Sequence, residues 1–214
     1  MTRDRCRGFS LIEVLVAMAL GLVLSSAVLG VLAASTRAYR LHQQLVRVQE
    51  EGRFGLGSLA ADLADRCGAI RGYECGSVRC SPALPTDRSL PERARAANVL
   101  IVDTPHDEKG CVSVAWYIAN GPVAGERELR RCVSGSNCQS VAQGLNRLDF
   151  TYAVRDAQQR VRHLDAAEVD GESLWDAVVG VDIGLWIEQR DSEEEASAIR
   201  HEFRTFVALP RGGA

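Results

Sequence analysis

The sequence predicts an α+β fold in which a long N-terminal helix, transmembrane in its first half and amphipathic in its second, packs on a mostly antiparallel β-sheet. Three observations predict it. Residues Val14 to Thr36 carry no charge. Beyond them apolar residues recur every three or four positions as far as Leu63, the spacing of one helical face. From Val99 to Leu209 several segments switch to alternation of apolar and polar residues, the strand period.

The first element is the uncharged run. At 1.5 Å per residue a helix from Val14 to Thr36 spans roughly 30 Å or slightly more, the thickness of a bilayer's hydrocarbon. Arg3, Arg5 and Arg7 precede it, offset by Asp4 alone, which favours a cytoplasmic N-terminus. Tyr39 suits the far interface, where Arg37 and Arg40 weaken the charge asymmetry. A cleaved secretory signal fits poorly, because the apolar regions of such signals run about 7–15 residues. This run is longer and begins beside Glu13. A carboxylate there costs roughly 2.5–3.5 kcal/mol on insertion scales, so Glu13 calls for a partner.

The helix is expected to continue out of the membrane, from Phe9 to about Asp65, because no proline occurs between Thr36 and Pro82. Leu41, Leu45, Val48, Gly52, Leu56, Leu59 and Leu63 form the apolar stripe that needs a sheet to cover it. His42, Gln43, Arg47, Gln49, Glu50 and Asp62 make the polar face. Gly52, Gly55 and Gly57 each weaken the helix by ~1 kcal/mol relative to Ala; close packing and a bend are both open as reasons for them. Gly55-Leu56-Gly57-Ser58-Leu59-Ala60 has the spacing of a dinucleotide fingerprint. It lies inside an amphipathic helix with no strand before it, which is the wrong context for that chemistry.

From Cys67 to Arg95 the chain reads as irregular, with repeated Gly and Pro. Val99–Val102 is a short apolar strand. Val112, Val114 and Trp116 alternate with Ser113 and Ala115, and Leu148–Val154 is a further strand. Val179, Val181, Ile183, Leu185 and Ile187 share one face, as do Phe203, Val207 and Leu209 on Arg200–Leu209. The acidic turn Asp191–Ala198 between these last two makes a hairpin. Asp165–Glu172 is acidic and turn-like, leading into a short helix around Ser173–Ala177.

The segment Arg7-Gly8-Phe9-Ser10-Leu11-Ile12-Glu13-Val14-Leu15-Val16-Ala17 resembles the processing motif of type IV prepilins and related pseudopilins. The resemblance implies a pilin-like fold, cleavage after Gly8 by a prepilin peptidase, methylation of Phe9, and a role for Glu13 in registering subunits during assembly. Physical chemistry agrees with that role: cleavage leaves an amine at Phe9 and a carboxylate at Glu13, four residues apart on one helical face. In a low-dielectric bundle, such groups from neighbouring subunits neutralise each other. Gln49-Glu50-Glu51-Gly52-Arg53-Phe54-Gly55-Leu56, then Leu63 and Cys67-Gly68, are similar to PilW-type minor pilins, and so is the closing segment from Phe203 to Arg211.

On that resemblance, residues 1–8 are a cleaved basic leader, 9–36 the transmembrane and assembly half of the helix, 37–66 its amphipathic periplasmic half, and 67–214 a periplasmic, disulfide-containing β-rich domain. The protein would be a single-pass inner-membrane precursor with a cytoplasmic N-terminus that joins a cell-surface pilus. Its implied partners are the prepilin peptidase, other minor pilins, the major pilin and a tip adhesin, in a complex that primes pilus assembly. Two alternatives stand beside it. One is a J-type pseudopilin of type II secretion, built on the same anchor. The other is a membrane-tethered periplasmic enzyme or adhesin.

The chemistry elsewhere is sparse. With 25 Lys+Arg against 28 Asp+Glu, the chain lacks the basic excess of a general nucleic-acid binder. Of its 7 Cys, Cys6 lies in the proposed leader. The remaining Cys67, Cys75, Cys80, Cys111, Cys132 and Cys138 suit disulfides in an oxidising compartment, with 15 connectivities open. Cys75–Cys80 and Cys132–Cys138 are the most local pairs, which would leave Cys67–Cys111. Zinc is the competing reading, but no C-x₂-C occurs and no His has ligand spacing to a Cys pair. His42, His106, His163 and His201 are scattered, and no catalytic motif is present, so no catalytic, cofactor or metal residues are expected. Asp103, His106, Asp107 and Glu108, and likewise Asp191, Glu193, Glu194 and Glu195, lack the spacing of a calcium loop and read as solvated turns. Trp116, Trp175 and Trp186 are expected in the core.

Overall fold

A computed structural model describes residues 10–75, 80–81, 98–106, 110–121, 126–133, 137–190 and 198–210. The chain divides into two compact units, Met1–Leu45 and Val46–Ala214. One helix, α1 (Leu11–Ala64), supplies most of the first unit and enters the second.

Among the described residues ten strands follow: β1 (Ile70–Cys75), β2 (Cys80–Ser81), β3 (Val99–His106), β4 (Gly110–Asn120), β5 (Arg127–Val133), β6 (Asn137–Gln143), β7 (Leu145–Arg155), β8 (Val161–Leu164), β9 (Val178–Arg190) and β10 (Ala198–Ala208). They form two antiparallel sheets rather than the single one expected, with orders β2-β1-β3-β4-β5-β6 and β10-β9-β7-β8. The chain passes between the sheets at Gly144, whose positive φ of 75° costs a glycine little.

The main core joins the C-terminal half of α1 to one face of each sheet. Val48, Leu56, Leu59 and Leu63 pack with Leu100, Val114, Trp116, Leu129, Val181, Ile183 and Leu185. This is the α+β arrangement that the helical stripe and the strand alternation predict. The stripe itself begins later than expected: Leu41 and Leu45 are exposed, and burial starts at Val48. The glycines explain the close approach. A Cβ on Gly52 would overlap the Phe203 ring, and one on Gly55 would lie 3.2 Å from Leu129 and 3.3 Å from Ala142. Gly57 has open space around it, so it serves no contact.

A second, smaller cluster occupies the opposite face of the larger sheet, where Tyr73, Val99, Ile101, Ala115, Tyr117, Ala119 and Cys132 are buried. It accounts for the unbroken apolar run Val99–Val102, since a strand buried on both faces has no reason to alternate.

Several expectations change in detail. Ile70–Cys75 is a strand, although it lies in the stretch read as irregular; its pairing with β3 supplies what local sequence does not. The acidic Asp165–Glu172 is not a turn. It forms α2 (Ala166–Gly171), because the Asp165 carboxylate accepts from the Glu168 amide while the Glu168 carboxylate accepts from the Asp165 amide. A 3-10 turn, Trp175–Ala177, follows. In β9 the core-facing residue is Val178 rather than Val179, because the register shifts at Ala153/Val154 and reverses the alternation there. The β9–β10 hairpin is present with eleven aligned residue pairs, and its acidic turn lies outside the described residues.

Candidate functional site: the head of the long helix and its anchorage

Helix α1 starts where Ser10 can cap it. The Ser10 hydroxyl accepts from the Ile12 amide at 3.3 Å, and the Glu13 carboxylate accepts from the Ser10 amide at 3.5 Å. Glu13 therefore stands in the first turn, exposed, where the helix dipole favours an anion. Gly8 and Phe9 lie outside the described residues, as does Cys6.

From Val14 to Thr36 the helix offers an apolar surface on all sides. Leu15, Met18, Leu22, Leu29 and Leu32 are among its exposed residues, and the helix is long and apolar enough to cross a membrane. Its hydroxyls are compatible with such a setting: Ser26 and Thr36 donate to the carbonyls of Val23 and Ala33 at 2.8 and 2.9 Å. A helix that is apolar all round needs lipid or other helices around it.

In the second unit the helix is tied to the sheets by polar contacts. Asp62 sits on the polar face in the sequence reading, yet the structure turns it inward. Its Oδ2 accepts from Trp116 Nε1 at 2.8 Å and from Arg131 Nε at 2.7 Å, and its Oδ1 accepts from the other end of the same guanidinium at 2.9 Å. Nearer the middle of α1, Glu51 accepts from the Gln143 amide at 2.9 Å, and Arg47 donates to the Gln143 side chain. No sequence motif announces these contacts, because each joins residues 54 to 96 positions apart.

Disulfides join Cys67 to Cys111 and Cys132 to Cys138. The first links the segment after α1 to β4; the second closes the β5–β6 hairpin, where the two cysteines are cross-strand partners and Tyr117 Oη lies 3.1 Å from Cys132 Sγ. Cys75 and Cys80 are paired in register between β1 and β2, and their side chains lie outside the described residues.

The remaining candidates are dispersed. Asp103 is a structural acceptor, taking bonds from the Ala69 amide and the Ser113 hydroxyl; its acidic neighbours Asp107 and Glu108 lie outside the described residues. The acidic run from Asp191 to Glu195 lies outside them too. Among the described residues no group of three His, Cys, Asp or Glu is placed to hold a metal. His42, His163 and His201 are exposed and apart in sequence and fold. Gly55 to Ala60 lie in the middle of α1. Trp116 and Trp175 are core residues, but Trp186 faces outward, flanked by the guanidiniums of Arg147 and Arg204 at 5.2 and 5.6 Å from its ring centroid. That placement follows from alternation: Leu185 and Ile187 take the core side.

Two features define a class: a β-rich unit built of antiparallel sheets, and a helix long and apolar enough for a single membrane crossing. The family described as the prokaryotic N-terminal methylation motif matches residues 3–34, the segment that includes Gly8, Phe9 and Glu13. The chain thus carries a prepilin-type motif, which supports a type IV pilin-like protein, structural in kind, with the prepilin peptidase and other pilins as its general partners. Comparison with curated proteins gives no match.

Proposed function

We propose that this chain is a PilW-like minor pilin of a type IV pilus, a non-enzymatic subunit that helps to prime assembly together with other minor pilins, the major pilin and a tip adhesin. The observation that carries the reading is the methylation motif at the head of a 54-residue helix whose second half packs into antiparallel sheets. In this reading the peptidase removes residues 1–8 after Gly8 and methylates Phe9. Residues 9–36 then hold the subunit in the inner membrane, residues 37–66 continue the helix into the periplasm, and residues 67–214 form the disulfide-bonded periplasmic domain. Glu13 pairs with the amine of a neighbouring subunit, so that a costly intramembrane charge becomes a register-setting contact.

Three experiments test this. Mass spectrometry of the chain recovered from membranes is expected to find N-methylated Phe9 as the first residue. A deletion strain is expected to lose pili and twitching while secretion continues; loss of secretion with normal pili would assign the protein to a type II pseudopilus instead. Glu13→Ala is expected to leave processing intact and to impair incorporation, and normal pili from that variant would remove the registration role.

A further inference from the structure

Among the described residues the smaller sheet ends in an open edge. Strand β10 pairs with β9 on one side through an unbroken register from Ala198 to Ala208, and among the described residues no backbone bond reaches its other side. The other edge strands are shorter: β8 has 4 residues, β2 has 2, and β6 has 7, the last of which, Gln143, is held by Glu51 and Arg47 of α1. A long, regular, uncapped edge is a feature that soluble proteins normally suppress.

Two further observations define what would cover it. The core is unfinished along this margin, because Phe203 and Val207 pack against the main cluster yet remain only partly buried. On the other face of the strand the charges run Arg200, Glu202, Arg204, all exposed, in surface ion pairs of Arg204 with Glu202 and of Arg200 with Glu188, followed by Phe206, which is 52% exposed. In an antiparallel pair, alternate residues direct their N–H and C=O groups away from the existing neighbour. The row on β10 therefore fits an extended backbone.

We infer that β10 is the acceptor for an extended donor segment of another polypeptide, added antiparallel as a fifth strand. The donor alternates apolar residues, which lie beside Ile199, Phe203 and Val207, with an acidic–basic–acidic series opposite Arg204, Glu202 and Arg200. Backbone pairing supplies the affinity and the charge series fixes the register. The inference stands on the sheet margin alone and is independent of the pilus reading.

The test uses the full chain in detergent micelles and the peptide acetyl-Thr-Val-Glu-Val-Lys-Val-Glu-Val-Thr-amide, with amide hydrogen exchange followed by mass spectrometry. The expected result is slowed exchange confined to β10, with a charge-swapped peptide (Lys for Glu, Glu for Lys) bound about tenfold more weakly. The triple variant R200E/E202K/R204E is expected to reverse that preference, which also shows that it is folded. Protection elsewhere on the chain, equal protection by both peptides, or none at millimolar peptide would overturn the inference. So would protection of β10 that grows with concentration of the chain alone, which would make a second copy the occupant.

Discussion

Replacing Asp62 by Ala probes how the long helix is held on its sheets. The substitution removes three hydrogen bonds at 2.7–2.9 Å and strands two different donors. Trp116 is 0% exposed, so its indole N–H has no water to turn to. A buried donor left in that state costs about 1–3 kcal/mol. The Arg131 side chain is 30% exposed and recovers part of its hydration, which keeps its loss below the figure for a fully buried ion pair. Together these give a destabilisation of about 3 kcal/mol, equivalent to a fall of roughly 6–12 °C in Tm for a domain of this size. Thermal unfolding of the full chain in detergent, followed by near-ultraviolet circular dichroism, reads the change. Asp62→Asn keeps one acceptor oxygen and is expected to lose about half as much. A change in Tm of under about 2 °C for Asp62→Ala would show that desolvation of the ion pair cancels its bonds, and would refute the anchoring role.

Three other outcomes follow from the packing and charges. Gly72→Ala is expected to cost about 3 kcal/mol, because the new methyl would overlap the hydroxyl of Tyr152, a buried residue packed edge-on against Trp175; Gly57→Ala, in open space, should instead stabilise by about 1 kcal/mol, and chemical denaturation compares the two. Loss of the Cys67–Cys111 bridge, which spans 44 residues, should cost about 4 kcal/mol against about 2 kcal/mol for Cys132–Cys138, which spans 6, as read from paired Cys→Ser variants in urea. The Glu172 carboxyl is held below the usual glutamate range by its bonds from Arg162, so the pair stabilises above that range and its contribution disappears as pH falls through the lowered value. An NMR titration should show Arg162→Gln returning Glu172 to the ordinary range.

The sequence by itself determined the parts of this protein that are governed by local pattern. An uncharged run the length of a bilayer, a stripe at helical spacing and strands at alternate spacing each report a repeating environment, and each is legible from neighbours in the chain. The methylation motif belongs to this group, because its residues follow one another. Helix starts carry a signal of the same local kind: Asp165 and Glu168 have the spacing of a capping box, as do Ser10 and Glu13. Only the tertiary structure decided the rest. Val99–Val102 is apolar throughout because two clusters bury both its faces, and Val178 replaces Val179 in the core because a register shift reverses the alternation. Asp62 is polar by composition and inward by position, since its partners Trp116 and Arg131 arrive from strands more than fifty residues away. Periodicity reports how exposed each side of an element is, whereas partner identity and the open margin of β10 depend on which strands meet, and that is settled only when the whole chain folds.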